Sequence, residues 1–514
     1  MARNSLGVEI PSEIDGLGKL TPYESPFSIV PQKRKHGKKI KVQIPGESKL
    51  IDSIEDAIKK TGLKDGMTIS FHHHFREGDY ILNLVVDKIS EMGIKNIKLF
   101  GSSLNSVHSK LIEHIKSGVI TQIHTSGMRG KLGDAISKGI MDTPVVIRSH
   151  GGRARAIEAG EIIIDVAFLG VPCTDIYGNA NGHNGKSACG SLGYAMVDAR
   201  YADHVVLLTD NLVEGVNVPA SINQTDVDYI IQMDEIGDPK GIMSGATRYT
   251  RDPKELQIAK FCSSVIENSG YFNDGMAIQA GTGGASLAVA RFLKQKMIDK
   301  GIKASAIVGG ITEQFVNFLE EGLAEKILGC QDFDLSAVKS VGVNENHHEV
   351  SASTYANPHN SGAAVNMLDI VILSALEIDT DFNVNVMTGS DGVMRGASGG
   401  HCDAAAGAKL SIIVSPLVRG RIPTVVERVI TTITPGDSID VLVTERGIAV
   451  NPKRPELIER FKDLGMPIYT IEELHKMALA LTGKPDSIKF TDKIVGLVEY
   501  RDGSIIDLVY QVAE

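Results

Sequence analysis

Residues 165–181 read DVAFLGVPCTDIYGNAN, and residues 369–385 read DIVILSALEIDTDFNVN. Both stretches open on an aspartate (Asp165, Asp369), carry a second one further on (Asp175, Asp379), and close on two asparagines (Asn179 and Asn181, Asn383 and Asn385). Four polar positions in register around two apolar runs are improbable by chance, so the chain is read as written twice.

Working outward, Asp65-Gly66-Met67 opens a β-like run that leads through a helical pattern to MGIKNIKLFGSS. Asp274-Gly275-Met276 opens MAIQAGTGG and leads the same way to KGIKASAIVGG. Downstream, VVLLTDNLVEG at 205–215 pairs with LSIIVSPLVRG at 410–420. The repeat distance barely drifts, which points to an internal duplication with a junction near residue 250.

Within each copy, uninterrupted apolar runs such as Val145-Val146-Ile147 and Ile412-Ile413-Val414 alternate with helix-period stretches such as SLAVARFLKQKMIDKG. Continuous apolar strands between helices imply a mostly parallel sheet covered on both faces. The predicted fold is α/β: two duplicated, open, mostly parallel α/β domains with the active site in the cleft between them. The expected organisation is an N-terminal extension at 1–50, a first domain at 51–250 and a second at 251–514. Ligands in such sheets gather beyond the carboxyl ends of the strands.

A chain of 514 residues is long enough for more than one core, and its 42% apolar content with 53 glycines is that of a globular protein. A net charge of −10, from 53 Lys and Arg against 63 Asp and Glu, argues against a nucleic-acid-tracking surface. The basic run Lys33–Lys39 reads as a solvated loop, with docking of an acidic partner as the alternative. Five cysteines without a C-x-x-C pair argue against a disulfide framework and a structural zinc site, and fit a reducing cytoplasm. No stretch has the ~18 uncharged apolar residues of a membrane span, and no signal peptide is read, so a cytoplasmic location and no membrane partner are expected.

The strongest candidate site is 389–403, GSDGVMRGASGGHCD, which holds five glycines. Gly396, Gly399 and Gly400 can present main-chain N–H groups to an anionic oxygen. Gly281, Thr282, Gly283 and Gly284 precede a helix, whose start suits phosphate or carboxylate. Glu313 follows the strand AIVGGIT and reads either as a nucleophile or base or as an ordinary helix-start glutamate. Successive strand side chains point to opposite faces, so of His72, His73 and His74 only His72 and His74 share a face; they read as plain strand packing or as a polar lining for a substrate carboxylate rather than as a metal site, and no metal is expected. Arg129, Arg148 and Arg153 are candidate forks for a multiply charged substrate.

The segments VAFLGVPCTDIYGNANG, FNVNVMTGSDGVMRGASGGHCDAAAGAKLSIIVSPLVRGRIPT and VLVTERGIAVNP resemble those of the citrate lyase alpha chain, and the likeness runs from about residue 50 to the C-terminus. Both halves more distantly resemble the CoA-transferase superfamily, whose enzymes pair two related α/β domains. The resemblance implies a citrate CoA-transferase: acetyl-S-carrier plus citrate gives citryl-S-carrier plus acetate. It also implies partners, namely a beta (citryl lyase) subunit, a gamma acyl-carrier subunit with a phosphoribosyl-dephospho-CoA arm, and an oligomeric assembly. No tightly bound cofactor is implied for this chain.

In general CoA-transferases a glutamate in a turn like Ile311-Thr312-Glu313 forms a covalent thioester, whereas citrate lyase transferases are regarded as transferring the acyl group directly. The resemblance leaves both roles open for Glu313. The rival readings are a stand-alone transferase using free acetyl-CoA and a carboxylate, and, more remotely, a sugar-phosphate isomerase on the same type of sheet.

Overall fold

The computed structural model describes residues 1–29, 33–243, 250–281 and 283–513. Among them two large sheets dominate. The first has the order 505–512, 490–499, 145–148, 120–125, 97–101, 68–71, 166–170, 204–209, 229–232, 50–51. The second runs 347–349, 327–332, 306–311, 277–280, 370–374, 410–414, 441–443, 448–450, 468–469. Apart from the hairpins 490–499/505–512 and 441–443/448–450, which are antiparallel, neighbouring strands in both are parallel.

The duplication is thus visible as topology: seven successive strands, from 145–148 to 229–232 and from 347–349 to 441–443, recur in the same spatial order. The C-terminal hairpin, inside the range expected for the second domain, extends the first sheet by pairing Gly496–Glu499 with Val145–Arg148. Central strands such as Val166–Gly170 and Leu410–Val414 are buried at every position, as a sheet covered on both faces requires.

The repeated polar residues are fold determinants. Asp165 accepts the Thr68 N–H at 2.7 Å, and Asp369 accepts that of Ala277 at 2.8 Å, so each ties its strand to the neighbour. Asp175 accepts N–H bonds from Tyr177, Gly178 and Asn179, and Asp379 accepts them from Asp381 and Asn383, closing the same Asx turn twice. Asp65 and Asp274 receive the Lys95 and Lys303 N–H groups, beside Gly66 (φ +85°) and Gly275 (φ +82°), whose left-handed backbone favours glycine.

The basic run is partly neutralised on the protein's own surface. Lys38 pairs with Asp226, and Lys35 stands 3.7 Å from Glu161. All five cysteines are buried and free, and no described helix is long and apolar enough to cross a membrane.

Candidate active site

The central strands of both sheets point their carboxyl ends at one cavity of about 500 Å³. From the first half come His73, Ser103, Asn105, Ser126, Arg129 and His150, each just beyond a strand. From the second come Gln279, Gly281, Gly283, Gly309, Gly310, Gln331 and Phe333, together with the loop Gly396–His401. The lining contains Arg76, Arg129 and Arg395 but no aspartate or glutamate among the described residues.

The glycine-rich loop belongs to the second half by sequence but is stitched to the first. Met128 N donates to Gly396 O at 3.1 Å, Ser398 N to Ser126 O at 2.7 Å, and His150 N to Gly399 O at 2.8 Å. Among the described residues, neither the Gly399 nor the Gly400 N–H donates to a main-chain carbonyl outside a helix or strand. Gly399 has φ +53°, a conformation that disfavours a side chain, and a Cβ on Gly400 would lie 2.5 Å from the Tyr355 hydroxyl. This is a loop held in place with N–H groups to spare, the arrangement that stabilises an oxyanion.

Aromatic rings form the floor. His73 stacks on Tyr194 with centroids 4.8 Å apart, and His150 lies 4.5 Å from the same ring. Burial drives the His73 imidazole well below its ordinary range and His150 down to about 3, so both are neutral at physiological pH. His150 Nδ1 and Gln279 Oε1 are buried without a partner, which leaves them for a ligand. Burial likewise lowers Arg76 to about 10, still charged at neutral pH.

Several expected site residues are elsewhere. The strand ends at Phe71, so alternation stops before the histidines: His73 faces the cavity, while His72 contacts Gly170 O at 2.8 Å and His74 receives the Tyr194 N–H at 3.3 Å. Arg148 makes a two-pronged bond to Glu499 at 2.8 Å on both arms, and Arg153 does so to Asp198 at 2.6 and 2.7 Å. Both forks are spent on internal ion pairs, outside the cavity lining. Glu313 is exposed at the start of helix Glu313–Glu320, with Ser336 Oγ 3.4 Å from its carboxylate, and does not line the cavity. Gly284 is half-buried outside the lining, and Thr282 lies outside the described residues. Gly281, Gly283, Gly396, Gly399, Gly400 and Arg129 do converge.

The sequence reading missed His73, Arg76, Asn105, His150, Tyr194, Gln279 and Tyr355. His73 lies inside the histidine run and Gln279 two residues before Gly281, but which of these side chains faces the cavity, like the placement of the others, is set by the strand end or packing partner beside it.

Two related parallel sheets sharing one cation-lined cavity define an α/β enzyme of the CoA-transferase class. The family described as citrate lyase, alpha subunit (CitF) matches residues 47–512, and the chain belongs to that family. It is 58% identical to the citrate lyase alpha chain of Haemophilus influenzae over 91% of this chain and 94% of that one. It is 56% identical to that of Escherichia coli over 91% and 92%. A Streptococcus mutans structure described as the alpha subunit of citrate lyase in complex with citrate superposes with a TM-score of 0.96 at 57% identity, covering 100% of both chains. The malonate decarboxylase alpha subunit of Acinetobacter baumannii shares the fold, with a TM-score of 0.63 at 14% identity over 85% of this chain and 95% of that one.

Proposed function

We propose that this chain exchanges acetyl for citryl on a thioester-bearing acyl carrier. A citrate carboxylate attacks the acetyl thioester carbonyl, giving a mixed anhydride and the carrier thiolate. The thiolate then attacks the citryl carbonyl, re-forming a thioester and releasing acetate. Both steps pass through a tetrahedral oxyanion, for which the Gly399 and Gly400 N–H groups are the donors, with Gly396 shaping the loop.

The observation that carries this reading is the cavity itself: arginines, neutral imidazoles and glycine amides, with no carboxylate in its described lining to repel a polyanion. The citrate complex of the similar Streptococcus mutans protein supports it. Gly281 and Gly283 border the cavity where the carrier's phosphoribosyl-dephospho-CoA arm would enter. Transfer is direct, a reading supported by the exposure of Glu313 away from the cavity.

The chain acts in the cytoplasm within an oligomeric complex with beta and gamma subunits. Its working units are the two halves, 51–250 and 251–514, with the last hairpin returned to the first. Incubation with acetylated carrier and citrate tests the reading, with mass spectrometry of the carrier as the readout. A citryl-carrier product is expected, and a carrier that keeps its acetyl group or is only hydrolysed refutes it.

A further inference from the structure

We propose that Arg76, Arg129 and Asn105 form a carboxylate subsite that holds the acceptor's non-reacting carboxylates and sets the preference for a polycarboxylate over a monocarboxylate. The assignment rests on the acyl-transfer reading above.

Arg76 has φ +52°, a left-handed backbone that a non-glycine residue adopts at a cost. Three contacts from separate parts of the chain hold it there. Its N–H donates to His73 O at 3.0 Å, its Nη1 donates to Ile242 O at 2.9 Å, and its guanidinium carbon stands 5.1 Å from the centre of the Phe333 ring. Strain maintained around a charged side chain at a cavity wall is the mark of a positioned group.

No described carboxylate neutralises its charge. Among the described residues no carboxylate lies within 4.0 Å of the Arg76 or Arg129 guanidinium. The two repel each other enough to add to the lowering that burial imposes on Arg76. The carboxylate that does act on both, Glu77, is occupied by the Ser106 and Val107 N–H groups at 3.1 and 3.0 Å.

Asn105 supplies the independent observation. Its Oδ1 accepts from Arg129 Nη1 at 3.4 Å, while its Nδ2, on a residue 3% exposed at the cavity wall, has no acceptor. An unsatisfied buried donor beside the Arg129 guanidinium, on a wall where neither Arg129 nor Arg76 has a described carboxylate partner, calls for an anionic oxygen.

Two forks and an amide match planar carboxylates. Met128, adjacent to Arg129, donates to Gly396 O, so the subsite adjoins the glycine loop where the reacting carbonyl sits. A citrate anchored here by two carboxylates presents the third to the thioester. The carrier arm also bears phosphates, but these lie a whole pantetheine chain from the reacting sulfur.

The test uses the full chain with Arg76→Gln, Arg76→Lys and, away from the strained turn, Asn105→Ala. Three quantities are measured: citryl-carrier formation against citrate concentration, exchange of labelled acetate into acetylated carrier, and KM for that carrier. In Arg76→Gln, KM for citrate should rise at least about tenfold, and the ratio of citrate kcat/KM to acetate exchange should fall by at least about tenfold. Asn105→Ala should show a smaller change in the same direction, and Arg76→Lys an intermediate one.

An unchanged citrate KM, or citrate and acetate rates falling in parallel, overturns the subsite. A rise confined to KM for the carrier overturns it in favour of the arm's phosphates. Citrate should also raise the melting temperature of the wild-type chain, and Arg76→Gln should lose that protection. If no citryl-carrier forms yet this protection pattern holds, the subsite stands and the acyl-transfer reading falls.

Discussion

Asp403 reaches from the second half to the first and accepts the Gly151 N–H at 2.9 Å, while its other oxygen accepts the Ser149 hydroxyl at 2.9 Å. Asp403 lies in the helix that follows Gly399 and Gly400, and Gly151 is the second residue of the helix that His150 begins. One fully buried carboxylate therefore fixes both sides of the candidate site.

Asp403→Ala removes those bonds and leaves buried Arg501, 3.4 Å away, without its carboxylate. The expected loss is about 3 to 5 kcal/mol of folding stability, read by urea denaturation, together with loss of transfer. A variant with wild-type stability would show that the two halves are held elsewhere.

Gly399→Val places a β-branched residue at φ +53° in the loop proposed to bind the oxyanion. Turnover should fall by about 10²- to 10³-fold, as when one oxyanion donor is removed. Circular dichroism should still report a folded chain. Normal turnover would remove this loop from the site.

Glu313→Gln should keep at least a few per cent of activity, a change of about 2 kcal/mol in barrier, because the carboxylate is exposed outside the cavity lining. With acetylated carrier and no acceptor, borohydride should trap no adduct on the peptide containing Glu313. An isolated adduct together with complete loss of activity would establish the covalent route.

Burial pushes the Asp332 carboxyl up to about 7, above the ~3.9 of an unfolded chain. Between those values the folded protein binds a proton that the unfolded chain has released, so this group's contribution to stability falls as pH rises from about 4 to about 7. Asp332→Asn should flatten the melting temperature against pH in that window, relative to the wild-type chain. Parallel curves would mean that Asp332 does not titrate there.

The duplication was legible because a repeated fold repeats its local solutions. Asp165 and Asp369, and Asp175 and Asp379, accept the same backbone N–H bonds in each half, and Asn179 and Asn383 donate their side-chain amides to the Asp175 and Asp379 carboxylates. The glycine loops were legible for a similar reason, since backbone exposure at a strand end needs glycine whatever surrounds it. The histidine run misled because alternation holds only while the strand lasts, and this one stops at Phe71.

Arg129, Arg148 and Arg153 show where local reading ends. All three are arginines near strand ends, but Arg148 and Arg153 meet Glu499 and Asp198, 351 and 45 residues away, while among the described residues Arg129 meets no carboxylate. By itself the sequence determined two related α/β halves, glycine loops at their strand ends and the family. Only the tertiary structure decided which charges are cancelled, because an ion pair depends on distance in space. It also returned the last hairpin to the first sheet, because Gly496–Glu499 complete an open strand edge at Val145–Arg148.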